Sequence, residues 1–145
     1  ANIVEKAMGS IAKSGTSAIV GVLAPGEKVN QKGLIYAATP ASDFVCGTQQ
    51  LASGMTLQVF TTGRGTPTGN AIVPVLKVTA NERTYRCMED NMDADLSAIV
   101  RGEKTYQQMG RELVDAIAAT ANGRLTKAEA FGFSDIAVDH VCRYV

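Results

Sequence analysis

Tryptophan is absent from this 145-residue chain, histidine occurs once, at His140, and cysteine only three times. Each scarcity excludes something. Cys46, Cys87 and Cys142 are odd in number and far apart, with no Cys-x-x-Cys or Cys-x-x-His among them, so neither a disulfide framework nor a zinc site is expected. They read as reduced thiols of a cytoplasmic protein. One histidine without a cysteine pair falls short of a complete transition-metal site. His140 itself, among apolar neighbours, reads as a half-buried strand residue. Charge of one sign is lacking too: Lys+Arg and Asp+Glu each number 14, which gives nucleic acid or an anionic membrane surface no bulk attraction. No apolar run approaches the roughly 18–20 residues of a membrane helix. The opening Ala1-Asn2-Ile3-Val4-Glu5 is neither a signal peptide nor an initiator sequence, and the chain reads as part of a longer one.

What is present is the stock of an ordinary globular domain, 46% hydrophobic with 14 glycines, long enough for one core and too short for two. Residues 3–13 place Ile3, Val4, Ala7, Met8 and Ile11 on one helical face, ending at Ser14-Gly15. Residues 18–24 form an unbroken apolar run, the habit of a strand covered on both faces in a parallel sheet, and residues 33–38 repeat it. Ser42 or Asp43 can cap a helix with Phe44, Thr48, Leu51 and Ala52 inward and Gly54 as its end. Residues 56–62 and 73–79 read as strands, with Pro74 marking an edge or a strand start. Asn81 can cap a short helix through Met88. Thr105-x-x-Gln108 is a capping box that opens a helix with Met109, Leu113, Ile117 and Ala121 inward, stopped at Asn122-Gly123. Residues 135–145 read as a last strand. Strands alternating with helices predict an α/β fold: a single compact three-layer domain, Rossmann-like, with a mostly parallel sheet and helices on both faces.

The chemistry concentrates in Thr61-Thr62-Gly63-Arg64-Gly65-Thr66-Pro67-Thr68-Gly69, immediately after a strand. Open α/β folds put their ligands at that end of the sheet. The glycines let the main chain turn sharply and approach a ligand, Arg64 can grip a carboxylate or phosphate with two bonds, and the threonines add hydroxyls. Anion binding is the physical inference. No Gly-Lys-Ser/Thr follows, so this is not a Walker loop, and the glycine spacing is wrong for a dinucleotide fingerprint. A plain glycine-rich connection is the competing reading. The acidic stretch Glu89-Asp90-Asn91-Met92-Asp93-Ala94-Asp95 can hold a divalent cation or act as acid or base, or serve as a solvated polar loop.

These segments, with Val73-Pro74-Val75-Leu76-Lys77-Val78-Thr79 and Glu5-Lys6-Ala7-Met8-Gly9-Ser10, resemble the C-terminal part of the altronate/galactarate dehydratase family, hydro-lyases that include sulfolactate dehydratase. The loop is the most specific part of a likeness that runs through nearly the whole chain. Departures stand at Ala38-Thr39-Pro40, where the family often has an aspartate, and at Leu96-Ser97, where it commonly has Ala-Gly. The resemblance implies that residues 1–145 are the C-terminal domain of a longer dehydratase acting on an altronate-, galactarate- or sulfolactate-like acid. It implies catalytic roles for Arg64, Thr62 and Asp93, and substrate contacts from Thr61, Gly63, Gly65, Thr66 and Asn91. It also implies a divalent metal, iron(II), with Asp90 as a candidate ligand and the others outside this chain. The partners expected are the hydroxy acid and the remaining domains of the parent enzyme, with no nucleic acid and no membrane, and with a homo-oligomer left open. Two other classes stay in view: a small-anion or nucleotide-binding module, and a structural or oligomerisation domain.

Overall fold

A computed structural model describes residues 3–137. Residues 138–145, which hold His140, Cys142 and most of the expected last strand, lie outside the described residues. The elements run α1 (Ile3–Ala12), β1 (Ile19–Leu23), β2 (Leu34–Ala37), α2 (Asp43–Ala52), β3 (Gln58–Thr61), β4 (Val75–Thr79), α3 (Glu82–Cys87), β5 (Ala94–Asp95), α4 (Tyr106–Ala121) and α5 (Lys127–Ala130).

The apolar sequence after Pro74 becomes β4, the middle strand of a three-stranded parallel sheet ordered β3-β4-β5. Val75, Leu76, Lys77, Val78 and Thr79 are all buried. Burying each of its valines and its leucine contributes about 1.5–3 kcal/mol. Pro74 lies just before the strand, where its missing N–H costs no ladder bond, and its carbonyl accepts from Gln58 N at 3.0 Å. Met92, fully buried, and Val73 add to this core.

Among the described residues the strands form two sheets and not the expected one: β1 and β2 pair with each other, also in parallel, and with none of the three strands of the larger sheet. Residues 18–24 are therefore not covered on both faces: Val20 and Val22 are 49% and 69% exposed. An irregularity between Ile19 and Gly21 breaks the register, and Gln31 Nε2 donates to the Val20 carbonyl at 3.1 Å. Along α2 the buried residues are Gly47 and Gln49, while Phe44 is exposed. Along α4, Met109 and Thr120 are buried, not Ala121.

Helix starts follow the local rules. Asn81 caps α3 by accepting from Thr84 N, Thr105 and Gln108 close a capping box on α4, and Thr126 with Glu129 close a second one on α5. Each cap satisfies main-chain N–H groups that the first helical turn leaves over. Among the described residues no helix is long and apolar enough to cross a membrane.

Candidate functional site

Parallel β3 and β4 end side by side, with Thr62 N donating to Val78 O at 3.0 Å. Where their carboxyl ends open, a cleft of about 550 Å³ is lined by Lys13, Thr61, Thr62, Gly63, Val78, Thr79, Ala80, Asn81 and Leu96. This is the position at which parallel sheets offer ligands room. Thr61 and Gly63 are exposed, and a side chain at Gly63 would meet nothing within 4 Å. Lys13, one residue past α1, lines the same space. Its contribution depends on a contact between distant parts of the chain, so no local pattern announced it.

The loop that forms the cleft wall is built in two parts. Its first part is pinned to the start of α3. The Gly63 carbonyl accepts from Thr84 Oγ1 at 2.7 Å and from Asn81 Nδ2 at 3.1 Å. The Gly65 N–H goes to Thr62 Oγ1 at 3.0 Å. Gly65 has φ +82°, and a Cβ there would overlap Met88 Sδ, so only glycine fits without strain.

Its second part is packed inward. Thr66 and Thr68 are buried and share a 2.6 Å hydrogen bond between their hydroxyls. Asn70 Oδ1 accepts from the N–H groups of Ile72 and Val73, and Gly69 N donates to Asp135 Oδ2 at 3.4 Å. Beneath them Lys77, 0% exposed, donates from Nζ to Pro67 O at 3.2 Å. Burial holds its pKa below the ordinary lysine value, opposed by Asp93 and Asp135 and reinforced by Lys127.

The residues singled out from sequence thus fall into three places. Thr61, Thr62 and Gly63 line the cleft. Arg64 is exposed on the loop and is not one of the lining residues, and among the described residues its guanidinium forms no ion pair. Gly65 and Thr66 serve the loop itself. Asp93 stands apart: Oδ2 accepts from Lys77 N and Oδ1 from Lys127 N, both at 2.7 Å. It ties β4 to the start of α5. Asp90 is exposed and Asn91 half-buried, and the Asn91 N–H turns back to Met88 O at 2.8 Å. Nearby, burial raises the Tyr85 pKa, with Glu89, Asp95 and Asp93 acting in the same direction. Among the described residues no three His, Cys, Asp or Glu side chains gather as a metal-ligand set.

The cleft at the carboxyl ends of parallel strands, walled by a threonine-glycine loop, belongs to a small α/β domain. The chain belongs to the D-galactarate/altronate dehydratase C-terminal family, whose model matches residues 1–143. It is 56% identical over 124 residues to galactarate dehydratase (L-threo-forming) of Escherichia coli (strain K12), covering 86% of this chain and 24% of that protein. It is 40% identical over 131 residues to the (2R)-sulfolactate sulfo-lyase subunit beta of Chromohalobacter salexigens, covering 90% and 34%. With altronate dehydratase of Escherichia coli it shares 32% over 134 residues, 92% and 27%. The matched segment therefore spans from about a quarter to about a third of the length of these relatives. The sulfolactate relative is named a sulfo-lyase, where the family resemblance had suggested a dehydratase.

Proposed function

We propose that residues 1–145 act as the C-terminal domain of a longer hydro-lyase that dehydrates a galactarate- or altronate-like acid to a 2-keto acid, in the cytoplasm, and that the cleft receives the acid. One observation carries the reading: Thr61, Thr62 and Gly63 line an open cleft at the strand ends together with Lys13. The named relatives support the dehydratase reading, and the short span of each that this chain covers supports a longer parent protein.

Dehydration removes the proton beside the carboxylate and expels the neighbouring hydroxyl. Negative charge accumulates on the carboxylate oxygens as the proton leaves. Donors already aimed at those oxygens lower the barrier, because no reorganisation is needed when the charge appears. The Thr61 hydroxyl, the Lys13 ammonium and the hydroxyl hydrogen of Thr62 are assigned this task, and Arg64, which forms no ion pair among the described residues, is assigned to the same anion. Gly65 and Thr66 are assigned to the shape of the loop, and Asp93 to its support.

The iron(II) that the family resemblance implies does not fit the described residues by themselves. Asp90 stands without a second and third donor, and both oxygens of Asp93 are taken by main-chain N–H groups. Its ligands are proposed to lie elsewhere in the longer protein.

The test is dehydration of galactarate and altronate by the full protein, comparing Thr62→Val, Lys13→Ala and Arg64→Ala. Loss of a donor to the developing anion lowers kcat/KM by about 10–1,000-fold. Unchanged kcat/KM in all three variants would empty the cleft of its assigned role.

A further inference from the structure

Lysine is a poor choice for the middle of a buried strand, since burial strips its ammonium of water. Lys77 nevertheless occupies the centre of β4 with no exposed surface. Among the described residues no carboxylate reaches ion-pair distance of its Nζ. Its Nζ bond goes instead to a main-chain carbonyl, that of Pro67, at 3.2 Å. Pro67 lies between the two buried threonines whose hydroxyls bond each other, two residues before the Gly69 N–H held by Asp135. The ammonium thus sits beneath the part of the loop that has no strand or helix of its own. Its strand neighbours Val78 and Thr79 line the cleft.

We propose that Lys77 is the positioning residue of the glycine loop: from within the sheet its ammonium draws the Pro67 carbonyl inward and so fixes the inward-packed part of the loop, residues 66–69, behind the cleft-lining Gly63. A methionine would fill the same volume without a charge to desolvate, so what lysine adds at this position is the donor. A charged donor on a carbonyl is about twice as strong as a neutral one. The groups facing it are Asp93 at the β5 side, Asp135 beyond α5, and Lys127 at the start of α5. The effect on an organic acid rests on the function proposed above, whereas the tether does not.

Hydrogen exchange of the full chain, unaltered and with Lys77→Met, reads the tether without any ligand. The amides of Thr68 and Gly69 should lose protection by about tenfold or more, with α2 and α4 unchanged. Unchanged exchange at those two amides would overturn the proposal, and so would an equal loss throughout the chain, which is the mark of a general stability defect. Should Lys77→Met fail to fold, NMR of the unaltered chain decides. A water-protected Nζ signal with cross-relaxation to Pro67 and Thr68 protons is expected, and an ammonium in rapid exchange with water overturns the tether. Calorimetric titration with galactarate forms a separate arm: no binding by the unaltered protein counts against the proposed function, while the exchange result stands. If it binds, Lys77→Met should weaken that binding by about tenfold.

Discussion

Thr84 Oγ1 donates to the carbonyl of Gly63, 21 residues earlier in the chain, at 2.7 Å. The same oxygen takes a second donor from Asn81 Nδ2, so α3 holds the start of the loop by one atom. Two donors on one acceptor make each partly redundant. Thr84→Val, which keeps the shape and removes the hydroxyl, should cost about 1 kcal/mol in urea unfolding. Asn81→Ser keeps a capping oxygen for α3 and removes the amide. Combining the two leaves the carbonyl with neither partner, and the double variant should lose about 0.5–1 kcal/mol more than the sum of the singles. Strict additivity would mean that the carbonyl finds water instead.

Asp93 gives a different kind of prediction. Its two oxygens are each spent on a main-chain N–H, one on β4 and one at the start of α5. Asp93→Asn turns one acceptor into a donor facing a donor, and should destabilise the protein by about 1.5–3 kcal/mol. At temperatures well below its Tm, the same variant should keep its kcat. A kcat lost at least 100-fold in folded protein would move Asp93 from support to chemistry.

The legibility of the site follows from how far each signal reaches along the chain. The loop, the cap at Asn81 and the box at Thr105-x-x-Gln108 are contained in a few residues, and all of them form. The second box, Thr126 to Glu129, obeys the same rule and was open to the same reading. β5 has only two residues, too few for any alternation, inside an acidic stretch that points to a loop. Which strands pair is not a local property. The apolar runs of β1 and β4 look alike in sequence, yet among the described residues only β4 acquires neighbours on both edges. A lysine interrupting the apolar run of β4 was a visible irregularity, and burial shows why it matters. Lys13 reaches the cleft from the other end of the chain and left no trace in any motif.

The pH dependence of stability isolates Lys77. Burial lowers its folded pKa below the ordinary lysine value, so in the interval between the two the unfolded chain binds the extra proton. Stability attributable to this residue therefore rises with pH through that interval, and the penalty is complete and constant below it. Each unit of depression corresponds to about 1.4 kcal/mol. Urea unfolding at a series of alkaline pH values should show the unaltered protein gaining on Lys77→Met as pH rises. Parallel curves for the two proteins would mean that the ammonium keeps its proton as easily inside as outside.

The connection between β3 and β4 contains no helix, although parallel neighbours are ordinarily joined by one. Residues 62–74 must make the return journey and shape the cleft at once. A change that retunes recognition here also disturbs the bridge that lets two strands lie side by side. On the proposed reading, divergence toward a new acid is thus cheapest at lining positions outside that connection, such as Lys13 and Leu96, which border the same space.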